Sequence, residues 1–149
     1  MKRNADLSGA WTDVTLFPSG DSPNNMAWDS DGYLYVTGAQ STDDLVWKVD
    51  VSDGSYSVFV TLGSGGLDDP EGLTFGPDGN LYVASTATDE ILRYNGSTGA
   101  FMDVFVSAGS GGLSGPAYLE FVEVPEPAVT SALMLFGLTA LIRRHRRVR

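Results

Sequence analysis

Pro70-Glu71-Gly72-Leu73-Thr74-Phe75-Gly76-Pro77-Asp78-Gly79-Asn80-Leu81-Tyr82-Val83 reads as strand, turn, strand. Gly72 to Phe75 is short and apolar. Gly76-Pro77-Asp78-Gly79 then sets a proline at the first central turn position, where its fixed φ is pre-formed for the bend. Leu81 to Ser85 forms the second strand. Glu90 to Tyr94 is a third, its side chains alternating between two faces. Asn95-Gly96-Ser97-Thr98-Gly99 turns the chain again, and Met102 to Val106 is the fourth.

The same blocks recur. Asp29-Ser30-Asp31-Gly32-Tyr33-Leu34-Tyr35-Val36 matches Gly76 to Val83 at an offset of 47. Val46 to Asp50 matches Ile91 to Asn95 at 45, and Ser57 to Val60 matches Asp103 to Val106 at 46. Leu62-Gly63-Ser64-Gly65-Gly66-Leu67 matches Ala108 to Leu113, and Asp69 to Phe75 matches Gly115 to Phe121, both at 46. Pro23 to Trp28 fits the slot of Pro70 one repeat earlier. Four antiparallel strands at such a period predict blades of a β-propeller. Frequent glycine and the lack of a 3.6-residue pattern exclude a helical repeat. Trp11 to Phe17 reads as an outer strand, Pro23 to Val60 as one blade, Pro70 to Val106 as a second and Pro116 to Phe121 as the start of a third. The expected fold is therefore all-β, a partial propeller of about two and a half four-stranded blades over residues 11–121, where closed propellers use about 4–8. That shortfall points to a piece of a longer propeller or to assembly between copies.

Pro-x-Gly-Leu-x-Phe-x-Pro-Asp-Gly-x-Leu-Tyr-Val over Pro70 to Val83 resembles NHL-type, streptogramin-lyase and gluconolactonase-like propellers. The resemblance implies the fold; its members include enzymes, scaffolds and ligand-binding proteins, so it implies no single activity.

Charge divides the chain. All 19 acidic residues lie at or before Glu126, with only Lys2, Arg3, Lys48 and Arg93 to oppose them. Such a body is repelled by phosphate, so nucleic acid is not an expected partner. The other basic residues are Arg143, Arg144, Arg146, Arg147 and Arg149. Before them, Ala128 to Ile142 carries no charge and as a helix would cover about 22 Å, short of a hydrocarbon core of about 30 Å unless flanking arginines snorkel. The expectation is a transmembrane helix over residues 128–142, with 143–149 a basic cytoplasmic flank. Pro125 and Pro127, in a linker over 122–127, separate it from the body.

Pro125-Glu126-Pro127, the apolar run and the arginine cluster, in that order, resemble the PEP-CTERM sorting signal of Gram-negative bacteria. The resemblance implies an exosortase, a membrane-embedded cysteine transpeptidase, as processing partner, with Pro125, Glu126 and Pro127 as recognition residues. It implies a secreted or cell-surface destination, often beside exopolysaccharide. Family members carry an N-terminal signal peptide. Residues 1–10 place Lys2 and Arg3 before no apolar run, so they read as a leader remnant of a longer gene.

Catalytic chemistry finds little support. There is no cysteine, and the single histidine is His145 in the tail. No catalytic residue, cofactor or metal is assigned. Asp29-Ser30-Asp31-Gly32 and Asp78-Gly79-Asn80 resemble the front of a calcium loop, but Gln40 stands where the twelfth-position Glu belongs, and Asp-Gly suits a hairpin turn for backbone reasons. Glu71, Asn24 and Asn25 stand where gluconolactonase-like propellers place residues around a channel metal, yet the third repeat has Ala117 and Tyr118 there. Asn95-Gly96-Ser97 fits Asn-x-Ser and reads as a turn. Trp28, Trp47, Tyr33, Tyr35, Tyr82 and Tyr94 could stack on sugars; their alternation assigns them to blade packing. The expected function is a non-enzymatic binding or scaffold module, the alternative a degenerate propeller enzyme of the lyase or lactonase type.

Overall fold

A computed structural model describes residues 23–38 and 44–122. Eight strands follow one another: β1 (Pro23–Trp28), β2 (Leu34–Gly38), β3 (Leu45–Asp50), β4 (Ser55–Val60), β5 (Pro70–Phe75), β6 (Leu81–Ser85), β7 (Glu90–Tyr94) and β8 (Phe101–Val106). They form two antiparallel sheets, each in sequence order, β1-β2-β3-β4 and β5-β6-β7-β8. Each is a meander, because every connection inside a repeat is a short turn that returns the chain beside itself. At the second hairpin, the Gly79 N–H donates to the Gly76 carbonyl (2.9 Å) with Gly79 at φ +74°. The proline turn thus forms where the sequence placed it.

Alternation along the strands gives each sheet two apolar faces. Tyr35, Val46 and Val60 of the first sheet pack with Leu73, Leu81, Val83, Leu92 and Tyr94 of the second in one cluster, with every member at most 4% exposed. Burying a side chain of this size is worth about 1.5–3 kcal/mol, so this inter-sheet layer holds the pair together. Leu34, Val36 and Val49 point the other way and form a separate cluster. Tyr82, Ala84 and Ile91 do the same on the far side of the second sheet, under Val106, Leu113 and Leu119.

Polar stitches repeat along with the core. The Asp44 carboxylate accepts the Asp69 N–H (3.2 Å), and Asp89, at offset 45, accepts the Gly115 N–H (2.7 Å). Each ties the start of a third strand to the residue before the next repeat's proline. Asp69 adopts φ +49° there and Gly115 φ +55°. A left-handed backbone suits glycine better than any residue with a Cβ. Asp69→Gly is therefore expected to stabilise the fold by up to about 1 kcal/mol, less the extra entropy of an unfolded glycine. A urea midpoint at or below that of the unsubstituted chain would count against this.

Two expectations need correction. The third repeat supplies no strand: Pro116 to Phe121 is unassigned to any sheet. It lies beside β5, where a Cβ on Gly72 would meet the Ala117 carbonyl, and is seated by the Thr86 hydroxyl donating to the Pro116 carbonyl (2.8 Å). Its pattern is strand-like, but among the described residues no second strand of that repeat offers it a ladder. The described residues form two sheets rather than two and a half. The transmembrane helix is the second correction. Among the described residues the only helical pieces are single 3-10 turns, Ser64–Gly66 and Ser110–Gly112, and no helix is long and apolar enough to cross a membrane. The fold described is all-β. Residues 128–142, like Trp11 to Phe17, lie outside the described residues.

Candidate functional site

The residues assigned to sorting, Pro125, Glu126, Pro127, Arg143, Arg144, Arg146 and Arg147, also lie outside the described residues. What the structure places is the set of body candidates, and it sorts them sharply.

The two Asp-Gly turns use their carboxylates on themselves. Asp29 Oδ1 accepts the N–H groups of Asp31 and Tyr33, both at 2.9 Å, and its Oδ2 accepts the Tyr35 hydroxyl at 3.1 Å. Asp78 Oδ1 accepts the Asn80 N–H (3.1 Å), while Oδ2 accepts the Asn80 side-chain amide (2.7 Å) and the Tyr82 hydroxyl (3.0 Å). These are Asx turns extended by a buried tyrosine. The Asn80 side-chain amide, above all, holds the Asp78 carboxyl below its ordinary pKa. Burial, followed by the Asp29 carboxylate, pushes the Tyr35 phenol well above its usual range. Both tyrosines are neutral donors at any physiological pH.

Around each tyrosine stands the same small assembly. Tyr35 meets Phe59 of its own sheet and Phe75 of the next repeat edge-on, with ring centroids 4.8 and 4.9 Å apart. Tyr82 meets Phe105 and Phe121, both at 4.7 Å. A cation completes each group: Lys48 Nζ sits 3.9 Å from the Tyr33 ring centroid, and Arg93 is held by Asp103 through Nε (3.0 Å) and Nη2. With Asp78 also 3.8 Å away, the Arg93 guanidinium faces two carboxylates, an arrangement that neutralises it rather than presenting it to an anion.

Among the channel candidates, Asn24 and Asn25 spend their side chains on the backbone, and Glu71 is engaged through its carbonyl. The Asn24 side-chain amide donates to the Pro70 carbonyl (3.1 Å), and the buried Thr37 hydroxyl donates to the Glu71 carbonyl (2.6 Å). Asn25 bonds its own strand, its carboxamide oxygen accepting the Met26 N–H (2.7 Å). The first two contacts tie β1 and β2 to β5. Among the described residues no three His, Cys, Asp or Glu side chains cluster so as to hold a metal ion. Asn95 serves its turn, its Oδ1 accepting the N–H groups of Ser97 and Thr98 at 3.0 Å.

Among the aromatic candidates, Tyr35, Tyr82 and Tyr94 are core, and Tyr94 donates to the Ser64 carbonyl (2.7 Å) in the connection between the sheets. Trp47 packs edge-on against Tyr56 at 5.4 Å. Trp28 differs: it is 56% exposed, beside Met26 at 58%, on the face of β1 turned away from the second sheet. Sequence reading grouped Trp28 with the packing residues because it stands at an alternating strand position. It missed the Asp44 and Asp89 stitches, although their alignment at offset 45 was visible. No family model matches this chain, and no curated protein matches it.

Proposed function

We propose that the chain is an exported propeller-type protein, processed by an exosortase and delivered to the cell surface or matrix as a non-enzymatic binding or scaffold module. The observation that carries this reading is the ordered series Pro125-Glu126-Pro127, an uncharged run, and Arg143, Arg144, Arg146 and Arg147, directly after two repeats of one sheet. A scaffold role is supported by the Asp29, Asp78 and Asn95 side chains, which serve turns, and by those of Asn24, Asp44 and Asp89, which tie one repeat to the next. Neutral exopolysaccharide is the partner class that suits the surface. Trp28 offers an open ring face for stacking on sugar C–H groups. The acidic surface, with Lys48 and Arg93 its only lysine and arginine among the described residues, repels anionic chains.

The test is expression of the full chain and a Pro125→Ala/Pro127→Ala variant in an exosortase-positive host. Intact mass and fractionation are then compared. The unsubstituted chain is expected at the surface or in the medium with a reduced mass, and the variant to be retained at full mass. The same mass and location for both would refute the sorting assignment.

A further inference from the structure

Asp69-Pro70 is the only Asp-Pro peptide in the chain, and it stands at the joint between the two sheets. Asp69 is one of two non-glycine residues with a positive φ among the described residues, at +49°. A Cβ is disfavoured in that region, and a following proline pushes its neighbour toward extended backbone, so two separate constraints strain the position. Hydrogen bonds on both sides hold it there. The Asp69 N–H donates to the Asp44 carboxylate (3.2 Å). One residue earlier, the Ser85 hydroxyl accepts the Asp68 N–H (3.0 Å) and donates to the Asp68 carbonyl (3.1 Å). Past the bond, Pro70 is fully buried and its carbonyl accepts the Asn24 side-chain amide (3.1 Å).

The Asp69 carbonyl oxygen, in turn, accepts the Thr86 backbone N–H (3.1 Å). That donor meets the atom on which negative charge collects when the carbonyl carbon is attacked. The group nearest to attack is the carboxyl of the same residue, which is partly exposed and accepts no hydrogen bond among the described residues.

We infer that this joint is a site of self-cleavage in acid. The Asp69 carboxyl oxygen bonds to its own residue's carbonyl carbon, the C–N bond to Pro70 breaks, and the carboxyl proton passes to the proline nitrogen. A five-membered cyclic anhydride remains on Asp69, and water opens it to two carboxyl groups. Proline suits the leaving position because its nitrogen departs as a basic secondary amine. The attacking carboxyl brings the proton, so the rate rises as pH falls from 7 into the range where carboxylates take up protons, about 4. Cleavage cuts the chain between the sheets but leaves their shared core, so the two halves stay together until unfolded. The next joint is an internal control: Gly115-Pro116 has the same backbone, with φ +55° and its N–H on Asp89 (2.7 Å), but no carboxyl.

Intact mass of the full chain is followed at pH 4 and pH 7, with and without enough urea to unfold it. At pH 4 without urea, fragments 1–69 and 70–149 are expected to form roughly tenfold faster than in urea, the weight of one left-handed Cβ penalty. They are expected at least tenfold more slowly at pH 7. Asp69→Asn is expected to stay whole over the same time, as is the Gly115-Pro116 bond; Asp69→Glu, whose anhydride ring would be one atom larger, replaces Asp69→Asn should that variant not fold. Equal or faster cleavage in urea would overturn the assignment, since the fold would then contribute nothing. So would an uncut chain at pH 4, or cleavage that persists unchanged in the position 69 variant.

Discussion

Gly99→Ala is expected to lower the unfolding free energy by about 3 kcal/mol or more, several times the effect of the same change at Gly79. Both glycines have left-handed backbones, φ +72° and +74°, so both substitutions carry the penalty of a Cβ in that region, about 1–2 kcal/mol. Their surroundings differ. Nothing lies within 4 Å of a Cβ built on Gly79, whereas one on Gly99 would overlap the Phe59 carbonyl oxygen of the first sheet. That obstacle is backbone, and it cannot rotate aside as a flexible side chain could. Either β4 lifts away from the second sheet, or the turn gives up the Gly99 N–H bond to the Asn95 carbonyl (2.9 Å). The first option opens the inter-sheet core around Val60, one residue from Phe59. Urea denaturation of both variants measures the difference. Similar losses would mean that the contact between the Phe59 carbonyl and this turn is not what sets the spacing of the sheets.

The contrast between these glycines shows what could be read from the sequence and what could not. Turn chemistry is local, so Gly76-Pro77-Asp78-Gly79 and the strands on either side were legible to within a residue or two. The period carried the pairing order, since four short strands joined by tight turns have few other ways to hydrogen-bond. Which polar group meets which was less accessible. The repeats align Tyr35 with Tyr82 and Asp31 with Asp78, yet Tyr35 bonds Asp29 while Tyr82 bonds Asp78. A carboxylate two residues away in the same turn fills the role, and alignment alone selects the wrong one. Proximity in sequence misled in a different way at Pro116 to Phe121. That segment has the apolar pattern of β5, but a strand is defined by a partner, and pattern carries no information about whether the partner is there. The candidate site suffered most. The features suggesting metal or sugar chemistry, alternating oxygens and alternating aromatics, are also what a hairpin turn and a packed sheet require. Only exposure separates Trp28 from Tyr35, and exposure depends on which neighbours are stacked against each face.

The tyrosine assemblies turn that dependence into an expected result, because the molecule contains two copies of one arrangement in unequal surroundings. Tyr35→Ala is expected to cost about 3–5 kcal/mol, the range for removing a large buried aromatic. Tyr35 is 0% exposed, touches Phe59 and Phe75 edge-on, and belongs to the cluster joining the two sheets. Its loss leaves a cavity between elements that cannot collapse without moving a whole sheet. Tyr82 has the same ring geometry, but its neighbours Phe105 and Phe121 are 48% and 39% exposed, and the segment bearing Phe121 is not part of a sheet. Those side chains can close over the gap, so Tyr82→Ala is expected to cost at least about 1 kcal/mol less. Tyr35→Phe separates packing from polarity. It keeps the ring and removes only the hydroxyl bond to Asp29, which at about 1–2 kcal/mol accounts for the smaller part of the loss. Thermal and urea unfolding of the three variants supply the comparison. If Tyr82→Ala proved as damaging as Tyr35→Ala, the segment from Pro116 to Phe121 would be holding its sheet as firmly as the second sheet holds the first.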